Sequence, residues 1–453
     1  MSAEGQEDLV DPARRAAALY SAVQSGLLRA PESIEDKPLA LFYDLNAWES
    51  TLANLRNLFG SQGLHAGAVK TNPLIWFLQR EKELGHGAEC ASIAEVLAAL
   101  EAGFAPHDVV FDSPCKTLPE IRFALERKVH LNLDNLQELE HVVRILGDMK
   151  LDGKELLGLR VNPLVGEGSI AAFSVSTDKS KFGVPLYSDQ KYKQDLVKKL
   201  VTASFLNCIH VHTGSVGMGL EKLVHGVRVA VDFAKDVNHA AGYKQISVID
   251  IGGGLATNFE DDVLKPTFAS YAAALRQAVP ELFNGHFHRV ISEFGASCHI
   301  KFGWLASRIE YTKDYDGGRI AIIHAGSELL MRACYNPTSV KHRVVAFDAE
   351  GRPKADANVM PHDIAGPLCF AGDVVAHATL PAMEPGDIIM LLDAGGNTLS
   401  LHTTHCSRQM PLVIGYRTGQ AKGQANGDQA SLSFDFEILK APQTIQDTLR
   451  LWR

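Results

Sequence analysis

Between residues 65 and 292, short apolar runs alternate with longer segments whose apolar positions recur at helical spacing. The runs fall at 65–70, 87–91, 109–112, 129–133, 156–161, 206–211, 246–251 and 290–292, with helix patterns such as 92–102, 118–126 and 136–146 between them. A strand that is apolar on successive positions is buried on both faces, as in a parallel sheet covered by helices. Eight such strands alternating with helices predict a (β/α)8 barrel in preference to an open doubly wound sheet.

After residue 296 the texture changes. Runs at 319–324, 344–347, 374–378, 388–392 and 431–438 follow one another with Gly, Pro and Asp turns between them, which predicts an antiparallel β domain. Segment 418–427, rich in Gly, Gln and Lys, reads as an exposed loop. Near the N-terminus, residues 12–28 are helix-like and end close to Pro31. The expected organisation is an N-terminal segment 1–37 that packs with the C-terminal domain, a barrel over 38–295 and a β domain over 296–453.

Composition narrows the function classes. A chain of 453 residues, 46% hydrophobic with formal net charge −9, suits two domains with a large core. Mild acidity and the lack of a Lys/Arg cluster argue against nucleic acid. No apolar run approaches the roughly 18 residues of a membrane span. The acidic, polar N-terminus is unlike a secretory leader, and seven scattered cysteines without a CxxC pair read as reduced thiols, so a cytoplasmic location is expected.

Candidate chemistry gathers where strands end. His65-Ala66-Gly67-Ala68-Val69-Lys70 stops at Thr71-Asn72-Pro73. A lysine at the end of a buried strand is expected to have its pKa lowered by desolvation, which frees a nucleophilic amine. His210 and His212 share one face of a strand by alternation. Such a pair could hold a metal, but no third ligand lies at a telling spacing, and no metal is expected. Gly252-Gly253-Gly254 follows another apolar strand, and three glycines let successive N–H groups converge on an anion. Glu293 closes the last strand of the barrel pattern.

Taken together, Ala68-Val69-Lys70-Thr71-Asn72, Glu89-Cys90-Ala91-Ser92, Ser180-Lys181-Phe182-Gly183, His212-Thr213-Gly214-Ser215, Asp250-Ile251-Gly252-Gly253-Gly254, Glu293-Phe294-Gly295-Ala296 and Gly366-Pro367-Leu368-Cys369 resemble the motifs of the fold-type III pyridoxal-phosphate decarboxylases, the diaminopimelate, ornithine and arginine decarboxylase group. The resemblance covers about residues 38 to 415 and implies an alanine racemase-like fold, a (β/α)8 barrel followed by a β domain. It implies pyridoxal 5'-phosphate in Schiff-base linkage to Lys70, with His212 stacked on the ring. Ser215, Gly252, Gly253, Gly254, Gly295 and Asn397 would stand around the phosphate, and Glu293 would face the ring nitrogen. It further implies an amino-acid substrate and a homodimer with shared sites, into which Cys369 reaches from the partner chain.

The departures bear on substrate and activity. Phe294 and Ala296 replace the family's proline and arginine, and Asn397 replaces a tyrosine. Arg332 and Tyr335 fall near the family's Arg-Pro-Ala-Leu-Tyr with spacing one residue short. Phe370 stands where an acidic residue meets the substrate's distal group, which favours an amino acid without a free distal ammonium unless Asp373 does the recognition. The resemblance thus implies a decarboxylase. An inactive regulatory paralogue or a racemase is the alternative, and Glu293 disfavours the racemase, because alanine racemases place an arginine there.

Overall fold

The computed structural model describes residues 10–149, 155–170, 174–215, 217–355, 357–419 and 432–453. Its strands are β1 (Leu39–Asp44), β2 (Gly63–Ala68), β3 (Gly87–Cys90), β4 (Val109–Asp112), β5 (His130–Leu133), β6 (Leu157–Asn162), β7 (Val184–Pro185), β8 (Cys208–Val211) and β9 (Val248–Asp250). They continue with β10 (Arg289–Ser292), β11 (Gly303–Tyr315), β12 (Gly318–Ile323), β13 (Val344–Phe347), β14 (Val359–Ala365), β15 (Val374–Pro381), β16 (Ile388–Leu391), β17 (Leu412–Thr418) and β18 (Phe434–Lys440). Two compact units share the chain: one comprises Leu52–Thr257 and Lys265–Cys298, the other Met1–Thr51, Asn258–Leu264 and His299–Arg453.

The first unit is the expected barrel. Strands β2, β3, β4, β5, β6, β8, β9 and β10 pair in parallel, and β10 pairs with β2 to close the ring. Several of the helices between them start at side-chain caps. Ser92 accepts from Glu95 N–H, Asn135 from Gln137 and Glu138 N–H, and Thr117 forms a reciprocal capping box with Glu120. Helix Leu136–Asp148 buries Leu139, Val142 and Ile145 on one side, the spacing of a covering helix.

Alternation along the strands sorts the interior into layers. Ala66, Val110, Cys208, Val248 and Ile291 form a dry apolar cluster. Two residues further along, on the same side of their strands, come Asp112, His210, Asp250 and Glu293. The pairing register sets Arg160 beside His210 and His210 beside Asp250. One strand position above a hydrocarbon floor, the barrel therefore carries a layer of charge.

The second unit is a sheet in the order β15-β14-β12-β11-β1-β17-β18, with β16 joining β11 to β13. It is mostly antiparallel, as expected, but β1 runs parallel to β17 and β12 parallel to β14. The sequence pattern began the barrel at residue 38, whereas β1, buried at all six positions, lies in this sheet between β11 and β17. Helix Pro12–Gln24 joins the same core through Ala18, Leu19 and Ala22, together with Phe42, Trp304, Met390 and Tyr416. The loop expected at 418–427 lies, from residue 420 onward, outside the described residues. No helix among the described residues is long and apolar enough to cross a membrane.

Trp304 is 2% exposed, stacks on Phe42 with centroids 4.2 Å apart, and donates its indole N–H to Tyr416 Oη at 3.2 Å. Trp304→Ala is expected to cost about 3–5 kcal/mol, read as a lower urea midpoint for loss of the β unit.

Candidate active site in the barrel

Lys70 stands just past the end of β2, in the single 3-10 turn Val69–Thr71, because Asn72-Pro73 ends the regular backbone. The turn is held against the end of β10: Ala68 N–H donates to Phe294 O at 3.4 Å, and a Cβ on Gly295 would lie 2.2 Å from Thr71 Oγ1. Glycine is thus required at 295 for the two segments to meet. Lys70 donates to Glu89, at the next strand end; the lysine side chain is 53% exposed and the Glu89 side chain 3%.

Beneath this pair the charged layer is continuous. Arg160 Nη1 lies 2.9 Å from Asp112 Oδ2. His210 places Nδ1 3.7 Å from that same oxygen and Nε2 3.5 Å from Glu293 Oε2. At these lengths the His210 contacts are ion pairs rather than short hydrogen bonds. Asp250 is hydrogen-bonded to Glu293, accepts from Asn132 Nδ2 at 3.2 Å and accepts from Gly252 N–H at 3.0 Å.

These neighbours decide the protonation states. Burial opposes charge on Glu293, but His210, Lys70 and the Asp250 hydrogen bond hold its carboxyl well below the usual carboxylate range. Burial likewise opposes charge on His210, yet Asp112, Glu293 and Asp250 raise it to about 9. Asp250 goes the other way: burial and the adjacent Glu293 push it far up, so it carries a proton. His212 is lowered to about 3 by burial and by Arg160, and its ring is neutral. Gly253 N–H donates to His212 Nδ1 at 3.2 Å, which places the ring proton on Nε2.

Lys70 departs from the sequence-based expectation. Burial alone would lower its pKa, but the attraction of Glu89, Glu293 and Asp112 exceeds that and raises it. Glu89 is itself raised to about 7, by burial first, with Lys70 pulling in the opposite direction. In this arrangement Lys70 is an ammonium, not a free amine.

The glycine loop also differs from expectation. Gly252 and Gly253 spend their N–H groups on Asp250 and His212. What the glycines provide is close approach. Gly254 has φ +95°, and a Cβ there would lie 1.9 Å from Gly214 O. Ser215 follows β8 beside this loop, half-buried. Phe294, one position past Glu293, points outward by alternation and packs on Phe268, Tyr271 and His65. Only its backbone reaches the lysine turn. Ala296 begins the one-turn helix Ala296–His299.

The remaining sequence candidates lie in the second unit. Asp373 is buried, with Oδ1 accepting from Ser327 N–H at 2.6 Å and Oδ2 from Leu368 N–H at 2.7 Å. Its carboxylate thus shapes loop 366–373. That loop exposes Cys369 and half-buries Phe370, whose ring stacks on Tyr335 at 5.7 Å and 20°. Arg332 and Asn397 line one narrow recess with Leu329, His342 and Asp393. Asn397 has φ +59°, a left-handed conformation that asparagine tolerates well.

Sequence reasoning singled out Lys70, His212 and Glu293, but gave no role to Glu89, Asp112, Arg160, His210 and Asp250 as a charged set. Asp112, His210 and Glu293 offer ligand atoms within 4.8 Å of one another, a spacing that could also bracket a metal ion. Here the imidazolium of His210 already supplies the positive charge between the two carboxylates.

Glu293 Oε1 is buried without a hydrogen-bond partner. An orphaned carboxylate oxygen beside a reachable lysine and a neutral imidazole suits an aromatic nitrogen base with an aldehyde arm. The chain belongs to the pyridoxal-dependent decarboxylases, its residues 46–299 matching the family's pyridoxal binding domain. It is, in class, a pyridoxal-phosphate-dependent amino-acid decarboxylase. Among relatives, it is 27% identical over 378 residues to a diaminopimelate decarboxylase of Helicobacter pylori, covering 82% of this chain and 88% of that one. With a diaminopimelate decarboxylase of Archaeoglobus fulgidus it shares 30% identity over 357 residues, 77% of this chain and 80% of the other. The fold is that of the crystal structure of the Helicobacter pylori enzyme complexed with L-lysine, at TM-score 0.77 and 23% identity, covering 95% of this chain and 99% of that one.

Glu89→Gln removes the carboxylate that sustains the Lys70 ammonium while leaving the half-exposed lysine in place. Modification of Lys70 by trinitrobenzenesulfonate, followed by peptide mass mapping, is expected to begin at lower pH in this variant than in the wild type.

Proposed function

We propose that this chain carries pyridoxal phosphate on Lys70 and decarboxylates an amino acid whose side chain lacks a free distal ammonium. The observation that carries the cofactor assignment is the ionised, buried Glu293 with Oε1 unpartnered, in the same barrel mouth as the half-exposed Lys70. When bound, the cofactor supplies an aldehyde carbon that takes up an amine and a protonated ring that accepts the electron pair left as carbon dioxide departs.

The chain's own residues set the conditions for that chemistry. Glu293 would face the ring nitrogen, and its low basicity would leave the proton on the ring. His212 presents a neutral face and so adds no charge against the ring. Glu89, raised to about 7, can take the proton that Lys70 must lose before its amine acts. With Gly252 and Gly253 N–H engaged, phosphate contacts would fall to Gly254, Ser215 and the backbone of 295–296. Ala296 brings no charge to this set, so affinity for the phosphate is expected to be lower than an arginine would give.

The reading includes a homodimer in which Cys369, exposed on loop 366–373, serves the partner's site and delivers the proton that replaces the lost carboxylate at Cα. Two observations support the substrate assignment. Phe370 and Tyr335 present a stacked aromatic pair, and Asp373 has both oxygens engaged by backbone amides. Such a surface suits an apolar side chain, or a diffuse cation such as a sulfonium over a ring face. The relatives named above are diaminopimelate decarboxylases, so substrate is where this chain is proposed to differ from them.

Borohydride reduction of the pyridoxal-phosphate-loaded protein is expected to fix the cofactor on Lys70, with no label in Lys70→Ala; mass spectrometry locating it on another lysine overturns the assignment. Carbon dioxide release from ornithine, diaminopimelate, methionine, S-methylmethionine and phenylalanine, by wild type and Phe370→Asp, tests the substrate. The wild type is expected to favour the last three. Phe370→Asp should move selectivity toward the diamines by roughly ten- to a hundred-fold, the worth of about 1.5–3 kcal/mol for a desolvated charged contact. Efficient wild-type turnover of diaminopimelate or ornithine overturns it.

A further inference from the structure

His210 lies between two acids of the barrel layer, and the function proposed above gives it no part. Its side chain is fully buried on β8, 3.7 Å from Asp112 and 3.5 Å from Glu293. We propose that His210 is a positioning residue, an imidazolium clamp between Asp112 and Glu293 that keeps Glu293 ionised and poor in basicity where the ring nitrogen is to be held. This rests on the cofactor reading above and deepens it.

The geometry excludes the simpler role of a packing histidine. A neutral imidazole between two carboxylates could donate only one N–H, leaving the other nitrogen's lone pair facing an anion in a site without water's screening. Protonation turns both contacts attractive. The surroundings are set for it from every strand that faces the ring. Asp112 on β4 is kept ionised by Arg160 on β6. Asp250 on β9, pushed far up by burial and by Glu293, is hydrogen-bonded to Glu293. His130 on β5 is lowered to about 3, first by burial and then by His210 itself, and His212 is likewise neutral. Of His130, His210 and His212, only His210 sits between two anions, and only it is raised, to about 9.

The consequence for the reaction is a proton location. Between a carboxylate and a pyridine nitrogen, the proton rests on the stronger base. Charge from His210 weakens Glu293 as a base, so the proton remains on the ring across the neutral range. Without the clamp, Glu293 would compete for it.

Histidine labelled with carbon-13 at Cε1, observed by NMR in the cofactor-free full chain, tests the clamp directly. The His210 signal, assigned by its loss in His210→Gln, is expected at the imidazolium position and unchanged between pH 6 and 8. In Asp112→Asn, which keeps the histidine, its midpoint should fall by about one pH unit or more; this variant also assigns the signal should His210→Gln not fold. A wild-type signal that titrates with a midpoint at or below 7, or one unmoved by Asp112→Asn, overturns the proposal.

Linkage provides a second arm. A histidine raised from 6.5 to about 9 stabilises the fold fully below 6.5, and that contribution disappears as pH rises through 9. The difference in urea midpoint between wild type and His210→Gln should therefore shrink from pH 6.5 to 9.5; a constant difference counts against the clamp. Pyridoxal-phosphate-loaded His210→Gln should show an absorption band that changes between pH 6 and 9 where the wild type's does not, and matching pH-independent bands overturn the proposed effect on the ring. If the wild type takes up no pyridoxal phosphate, the cofactor reading fails while the cofactor-free measurements still decide the clamp.

Discussion

Everything at the mouth of this barrel depends on balancing buried charge. Four acids, Glu89, Asp112, Asp250 and Glu293, come within reach of one another on the ends of adjacent or facing strands. Uncompensated, they would drive protons onto the whole set, since burying an isolated carboxylate costs far more than protonating it. Lys70, Arg160 and His210 divide the acids instead. Asp112 and Glu293 remain anions, Asp250 takes a proton, and Glu89 is poised near neutrality. A site needing one fixed anion, one neutral imidazole and one transferable proton obtains all three from a single set of contacts.

The apolar floor below makes that division sharp. Val110, Cys208, Val248 and Ile291 exclude water from beneath the layer, so each ion interacts chiefly with its neighbours on the next strand. Strand alternation produces both layers at once: the side of the strand that carries Ile291 carries Glu293 two residues on. The fold and the chemistry thus share one periodicity.

Much of this was legible in the sequence. Buried parallel strands read as continuous apolar runs, so the eight barrel strands were located, and the lysine, the glycine triplet and Glu293 stood at their ends. The paired roles were not legible. Asp112 and His210 are far apart in sequence, and nothing local shows that β4 and β8 aim them at each other. The pKa of Lys70 was misjudged for the same reason: desolvation can be inferred from an apolar neighbourhood, whereas the carboxylate that outweighs it comes from the next strand. Residues 39–44 fall inside the expected barrel span 38–295, yet they form a centre strand of the mixed sheet, buried on both faces. Phe294 reads as a substitution inside a site motif, yet alternation turns its ring into the core.

The position of β1 has a further consequence, for the order in which the molecule can be made. Its neighbours in the sheet are β11 and β17, the latter almost a whole chain away. As the polypeptide emerges from a ribosome, β1 appears before both partners and exposes two apolar faces and two unpaired edges through the synthesis of the entire barrel. The barrel can close on itself once β10 is made, but the sheet containing β1 cannot be completed until β17 follows. A strand made well before its partners is thus among the last to find its place, and it spends the interval as a segment in need of shelter.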